Sequence, residues 1–169
     1  MSTAGQALAT GVGEEVGDLK QEYHRALNLI ERLHRQLLDV IKDELDRRGQ
    51  NDINSVQALL IHNIGDQELT AGELRTRGHY LGSNVSYNLK KLVESGYIHH
   101  ERSDVDRRSV RVRLTNAGTE VSEMVSSLYE HQLESIEPVG GVNANDFHQL
   151  NITLQRLERF WGDQIRYRL

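Results

Sequence analysis

Four polar side chains that can donate hydrogen bonds recur at helical spacing. The last three lie three, four and seven positions after the first. They are Asn84, Tyr87, Asn88 and Lys91. Because a helix has 3.6 residues per turn, they fall on one face, opposite an apolar stripe formed by Val85, Leu89, Leu92 and Val93. An asparagine amide can pair with the N6/N7 edge of adenine, and a lysine suits phosphate. The face is predicted to read DNA bases; a plain solvated helix surface is the alternative.

A second group of this kind is the charged segment from Asp104 to Arg108. An arginine that enters a narrow minor groove gains from the negative potential there, and Asp106 can orient a neighbouring guanidinium. Apolar and basic residues alternate just after this segment, as in a half-buried strand: Val110, Arg111, Val112, Arg113 and Leu114. The segment is predicted to be the tip of a basic hairpin. The alternative is a polar surface turn whose opposite charges cancel and whose ion pairs are weak.

The charge distribution favours a polyanion as partner. The chain carries a net charge of −5, yet residues 70–118 contain nine Lys and Arg against five Asp and Glu, a net +4. The rest of the chain is therefore at −9. A basic centre between acidic flanks indicates a nucleic-acid-facing module on an acidic scaffold.

Several function classes are excluded by what the sequence lacks. It contains no cysteine and none of the common nucleophile, zinc-protease, P-loop or dinucleotide motifs, so we expect no enzyme and no cofactor. Its 8 histidines, including the pair His99-His100, lack metal-ligand spacing. We expect no metal site, and a metal-responsive regulator is kept as an alternative. No signal peptide or membrane-length apolar run is present, so we expect a cytoplasmic protein without membrane contact.

Capping residues and glycines delimit six predicted helices that would position these groups. Residues 1–17 are predicted to be a disordered tail, because they are rich in small residues without periodicity. The helices run from Asp18 to Arg48, from Asn54 to Gly65, from Thr70 to near Gly78, from Ser83 to Gly96, from Thr115 to Pro138 and from Asn145 to Ile165.

The order of these elements is that of a winged helix-turn-helix: three short helices, the last two joined by a tight turn, and then a basic hairpin. The predicted fold class is mainly α (α+β), with long N- and C-terminal helices around the winged region. A winged helix that binds proteins instead of DNA is a further alternative. This alternative predicts a reading face without an excess of basic residues. The net charge of +4 in residues 70–118 argues against it.

The run from Ile53 to Gly118 resembles the MarR family of bacterial transcription regulators. The strongest match is Asp106 to Gly118, which is similar to the family's D-x-R wing, a strand, and an L-T-x-x-G opening of the next helix. The segment LTAGELRTRGHYLGSNVSYNLKKLVESGYI is also similar. The resemblance implies a minor-groove role for Arg108 with Asp106 as its partner. It implies a major-groove face made of Ser83, Asn84, Ser86, Tyr87 and Asn88.

Further DNA contacts are expected from Lys90, Lys91, Arg107 and Arg111. Many family members carry a basic residue early in the reading helix, where this chain has serine and asparagine. This departure tilts the predicted base preference toward A·T pairs.

The resemblance also implies a homodimer whose terminal helices interlock, bound to double-stranded DNA at a pseudo-palindromic operator. Residues 18–169 are then a single MarR-like domain, with dimerisation helices in 18–50 and 116–169 and the DNA-binding region in 53–115. Family effectors bind between these parts, and a small aromatic or phenolic molecule is expected here. Candidate pocket residues are Leu37, Ile41, His62, Asn63, Leu128 and Tyr129.

Overall fold

The structure is a computed structural model and describes residues 18–70, 72–74, 82–102 and 110–167. Its elements, in chain order, are α1 (Leu19–Arg47), α2 (Ser55–Ile64), β1 (Leu69–Thr70), α3 (Gly82–Glu94), β2 (Ile98–Arg102), β3 (Val110–Leu114), α4 (Asn116–Ile136) and α5 (Ala144–Tyr167). Residues 72–74 are also helical. The predicted N-terminal tail, the whole predicted hairpin tip and the end of the predicted third helix, in 75–81, lie outside the described residues.

The chain divides into two compact units, residues 1–37 and residues 38–169. The described part of the first unit is the N-terminal portion of α1 with Asp18 before it. Its side chains are exposed or half-buried, and Leu19 and Leu33 are 84% and 58% exposed. The second unit holds the hydrophobic core and all the remaining elements.

Two helices of the second unit end by the same hydrogen-bonding pattern at a glycine. α1 ends before Gly49, which has φ +68°, and the N–H of Gln50 returns to the carbonyl of Leu45 at 2.9 Å. α3 ends before Gly96, which has φ +79°, and the N–H of Tyr97 returns to Leu92. Positive φ suits glycine, which has no Cβ, so this closure follows directly from the sequence. Both predicted ends are confirmed.

The core of the second unit lies between α1, α2, α3, α4 and a small antiparallel sheet of order β1-β3-β2. In this sheet Val112 is paired with Leu69 on one side and with His100 on the other. The apolar stripe predicted for the reading helix is confirmed, because Val85, Leu89 and Leu92 are buried and Val93 packs against them. Of the helices in the described ranges, none is long and apolar enough to cross a membrane.

The start of α4 explains why a threonine and a glycine stand three residues apart. Thr115 is the N-cap, and its hydroxyl oxygen accepts the N–H of Gly118 at 3.2 Å. The N–H of Thr115 donates to the carbonyl of Tyr97 at 3.0 Å. A Cβ on Gly118 would lie 2.2 Å from that same carbonyl oxygen, so no larger residue fits. The L-T-x-x-G pattern thus joins a helix cap to a close backbone contact.

Three local predictions need correction. Leu69–Thr70 forms a strand that was not predicted: an N-cap residue has extended backbone angles, so Thr70 can pair with β3 while it also forms a capping box with Glu73. Helix α3 begins at Gly82, one residue before its predicted cap Ser83. Helix α5 is capped by Asn143 and not by Asn145, because the Asn143 side chain accepts the N–H groups of both Asn145 and Asp146.

Candidate nucleic-acid interface

The outward face of α3 carries the four polar residues that the spacing predicted. Asn84 is exposed, Tyr87 is 62% exposed, Asn88 is half-buried and the side chain of Lys91 is 49% exposed. They lie opposite the buried stripe of the same helix. Ser86 and Lys90 are also exposed, and Ser83 lies in the first turn. The helix therefore presents uncharged hydrogen-bonding groups at its N-terminal half and two lysines toward its C-terminal end.

Contacts within α3 leave most of these groups able to bind a partner. The Asn88 amide donates one N–H to the backbone oxygen of Asn84 at 2.9 Å. Because an amide has two N–H donors and one carbonyl acceptor, the second N–H and the oxygen stay available for an adenine edge. The ammonium groups of Lys90 and Lys91 lie 3.9 and 3.4 Å from Glu94. Such exposed pairs are weak, so a phosphate can displace them.

The strands of the wing are placed as predicted, but their outer face is less basic than the sequence indicates. Arg111 is 3.5 Å from Glu68, and Arg113 is 3.3 Å from Glu101. Both arginines of β3 thus have a carboxylate close by, which lowers the positive charge of the described part of this face. Arg108, which was predicted to enter the minor groove, lies outside the described residues, as do its predicted partner Asp106 and the further predicted DNA contact Arg107. The DNA contact of Arg111 stays a prediction.

A polar cluster around Tyr97 was missed by the sequence analysis. The ring is only 5% exposed, and its hydroxyl donates to Asp52 at 2.7 Å and accepts from Gln50 at 2.5 Å. Burial, together with the hydrogen bond to Asp52, raises the pKa of Tyr97 to about 12. A buried tyrosine after a helix-ending glycine signals that its hydroxyl needs a partner. The partners lie 45 and 47 residues away, so the sequence cannot identify them.

The residues predicted to form an effector pocket do not all lie together: two contact each other, some belong to the core and others are exposed. His62 and Tyr129 meet edge to face, with ring centroids 5.3 Å apart, and Nδ1 of His62 is 3.4 Å from the carbonyl of Ser122. Leu128 packs against the core and Asn63 is exposed. Ile41 is fully buried in the core, and Leu37, in the first unit, is 36% exposed. The structure therefore brings together His62 and Tyr129, while Ile41 serves the core.

A cleft of about 600 Å³ lies between the C-terminal part of α1 and α4. Its lining is mostly polar and charged: Asp39, Val40, Asp43, Glu44, Arg47, Arg48, Ser127, Leu128, His131 and Gln132. Of the predicted pocket residues only Leu128 is part of this lining.

The histidines that the structure describes show no grouping that indicates a metal. His99 and His100 pair with Arg113 and Val112, so they lie on opposite faces of the sheet. Within residues 18–70, 72–74, 82–102 and 110–167, no three His, Asp or Glu side chains are placed to hold an ion together.

Comparisons with known proteins agree on the kind of protein. A family model described as "MarR family" matches residues 51–109. The chain is 35% identical over 169 residues to the exopolysaccharide II synthesis transcriptional activator ExpG of Rhizobium meliloti, covering 98% of this chain and 85% of that protein. Two solved structures share the fold. FabT of Streptococcus pneumoniae in complex with DNA has a TM-score of 0.63 at 24% identity, covering 83% of this chain and 98% of that chain. A MarR mutant of E. coli complexed with operator DNA has a TM-score of 0.65 at 21% identity, covering 83% and 99%.

Proposed function

The chain belongs to the MarR family of transcription regulators, and from this premise we propose that it binds its operator as a homodimer, with α3 in the major groove and the wing in the minor groove. It is a DNA-binding regulator and not an enzyme. Its site of action is then the chromosome, in the cytoplasm. The proposal assigns base contacts to the N-terminal half of α3, backbone contacts to its lysines, and groove contacts to the hairpin tip.

One observation carries the proposal: the exposed face of α3 is polar, largely uncharged and not needed by the core. The residues proposed to face bases are Ser83, Asn84, Ser86, Tyr87 and Asn88. Lys90 and Lys91 are proposed to hold phosphates, and Asp106, Arg107, Arg108 and Arg111 to act from the wing. Asparagine pairs best with adenine and an aromatic ring can pack on the thymine methyl group, so an A·T-rich half-site is expected.

The dimer is supported by the exposure of α5. No residue of this 24-residue helix is buried. Apolar side chains nevertheless recur along it and form an apolar stripe: Phe147, Leu150, Leu154, Leu157, Trp161 and Ile165. Leu150, Phe160 and Ile165 are 47%, 51% and 80% exposed. An apolar stripe of this length normally packs against a partner helix. We propose that a second copy of the chain covers it, which makes the operator pseudo-palindromic with half-site centres about 10 bp, or one helical turn, apart.

The test is selection of DNA sites from a random pool by the purified full-length protein, at one fixed salt concentration. The wild type is expected to enrich an A·T-rich pseudo-palindrome. Asn84→Ala and Asn88→Ala should each relax the preference at one position and weaken the best site by about 1–3 kcal/mol. Asn51→Ala removes an exposed amide outside α3 and should select the wild-type site. An unchanged consensus in both α3 variants would mean that another element reads the bases.

An effector of small aromatic or phenolic type is proposed near the His62–Tyr129 pair. The two rings offer an aromatic edge, an imidazole and a phenol at one place between α2 and α4. Such a compound is expected to release the selected operator, and the response should be lost in Tyr129→Ala but kept in the control Asp66→Ala. A response that is equal in the wild type and in Tyr129→Ala would place the effector elsewhere.

The direction of control is proposed from the relative that is 35% identical, which is named a transcriptional activator. We propose activation for this chain too. In a purified transcription assay, the protein should raise transcript from a promoter that carries the selected site upstream. A fall in transcript on the same template would show repression.

A further inference from the structure

Two helix ends in the second unit are joined to each other through their capping residues. Gln50 and Tyr97 occupy the same position, the third residue after the helix, directly after Gly49 and Gly96 respectively. Each returns its N–H to a carbonyl five residues back, at 2.9 Å. The end of α1 and the end of the reading helix α3 are thus closed by the same motif.

The side chains of these two residues then meet. Gln50 Nε2 donates to the Tyr97 hydroxyl at 2.5 Å, and that hydroxyl donates to Asp52 Oδ2 at 2.7 Å. Gln50 Nε2 also reaches Asp52 Oδ1 at 3.2 Å, which closes a triangle. We call Gln50, Asp52 and Tyr97 the cap-to-cap tie. It links residues nearly fifty positions apart in sequence.

Tyr97 is fixed from a second direction by its backbone. Its carbonyl accepts the N–H of Thr115 at 3.0 Å, and Gly118 packs against the same oxygen. The next residue, Ile98, is the first of strand β2. Tyr97 is therefore the point at which the end of α3, the base of the wing, the start of α4 and the end of α1 are held together.

We propose that Tyr97 is a positioning residue for DNA recognition, whose hydroxyl sets the orientation of α3 by tying its end to the end of α1. This inference rests on the proposal that α3 reads DNA. The rest of α3 is held mainly by its apolar stripe, and apolar packing is not directional. Hydrogen bonds need donor and acceptor within narrow limits of distance and angle, both at the tie and at the base edges. A small rotation of α3 is therefore tolerated by the stripe but not by the tie or by the DNA.

The chain offers clean variants for testing this. Tyr97→Phe removes one oxygen and leaves the buried ring in place. Asp52→Ala removes the acceptor from the other side, and Asp52→Asn keeps an acceptor oxygen, so it should rescue most of the function. Asp66→Ala deletes an exposed carboxylate in the α2–β1 connection and serves as the matched control.

The experiment measures the affinity of each folded full-length variant for the selected operator and for unrelated duplex DNA at the same salt. Tyr97→Phe and Asp52→Ala should each lose roughly tenfold on the operator while unrelated DNA changes by less than about twofold, because the phosphate contacts tolerate small rotations. The double variant should be no worse than either single one. Asp52→Asn and Asp66→Ala should stay near the wild type.

A purely structural role predicts a different pattern: lower melting temperatures with an unchanged ratio of operator to unrelated affinity. That pattern, or fully additive losses in the double variant, would overturn the proposal. If Tyr97→Phe fails to fold, the ratio of operator affinity to unrelated-DNA affinity in Asp52→Ala tests the proposal in its place.

Amide hydrogen exchange provides a readout without DNA. In Tyr97→Phe and Asp52→Ala, the amides of the last turns of α3 should exchange faster while those of the middle of α4 stay protected. Unchanged exchange in α3 would also overturn the proposal that the cap-to-cap tie holds the end of this helix. If the wild type selects no DNA site at all, the proposed function fails, and the exchange result still reports on the tie alone.

Discussion

Of the glycines in the described ranges, Gly118 leaves the least room for a side chain, and its replacement by alanine tests that contact. The added Cβ would lie 2.2 Å from the carbonyl oxygen of Tyr97 and 3.2 Å from Cβ of Leu114. A backbone oxygen cannot rotate away as a side chain can, and this one accepts the N–H of Thr115. Relief of the clash must therefore move the start of α4 away from the end of α3, which breaks the contact that joins them.

The expected size of the effect follows from three contributions. Forcing an extra carbon into a packed site costs about 1–3 kcal/mol. Stretching or breaking the hydrogen bond from Thr115 leaves a buried polar group, at about 1–3 kcal/mol. Alanine regains about 1 kcal/mol over glycine within a helix. The net expectation is a loss of about 1–5 kcal/mol in the free energy of unfolding.

The assay is urea unfolding followed by circular dichroism, at one protein concentration for all variants. Gly162→Ala is the control, because this helix glycine has no heavy atom within 4 Å of a built Cβ. That variant should gain about 0.5–1 kcal/mol. A Gly118→Ala protein as stable as the wild type, with an unchanged slope, would refute the reasoning that the carbonyl of Tyr97 excludes a side chain here.

Three further predictions concern charge, assembly and pH. Lys91→Ala should weaken binding to every DNA sequence about equally and lower the salt slope by about one unit in a titration from low to moderate salt; a change of consensus would assign Lys91 to base reading. A chain that ends at Val142 lacks α5 and should sediment as monomer or aggregate, whereas an intact dimer would place the interface elsewhere. Because the pKa of Tyr97 is raised to about 12, folding stabilises its protonated form. This contribution is complete below the ordinary pKa of about 10 and falls as pH rises toward 12. Wild-type unfolding free energy should therefore drop more steeply than that of Tyr97→Phe above pH 10; parallel curves would contradict the shift.

The features that the sequence predicts well are local. The start of α2 at its N-cap Asn54, the end of α3 at Gly96 and the apolar stripe of α3 each depend on residues within a few positions of one another. Short-range backbone geometry decides such features, and distant parts of the chain rarely alter them. The face of α3 proposed to read DNA belongs to this class, because its composition and exposure follow from helical spacing alone.

The features that the sequence does not reveal are those made by distant residues. The partner of Tyr97 and the pairing of Arg111 with Glu68 join segments about 45 positions apart, and each arises only when the fold is complete. The outer face of β3 is a clear example. Its sequence alone predicts a basic face, but the fold places Glu68 beside Arg111 and Glu101 beside Arg113. Ile41 was assigned to a pocket for a similar reason, because an apolar position on α1 has the same pattern whether it lines a cavity or the core.

The exposure of α5 has a consequence for gene dosage. If a second subunit covers its apolar stripe, the order of this helix depends on mass action and not on the chain alone. Halving the cellular amount of protein then lowers the concentration of assembled dimer by more than half, and by about fourfold when the protein lies well below the dissociation constant of the pair. Promoters under such a regulator would respond to its abundance more steeply than to its affinity for DNA, so the expression level of its own gene becomes part of the control.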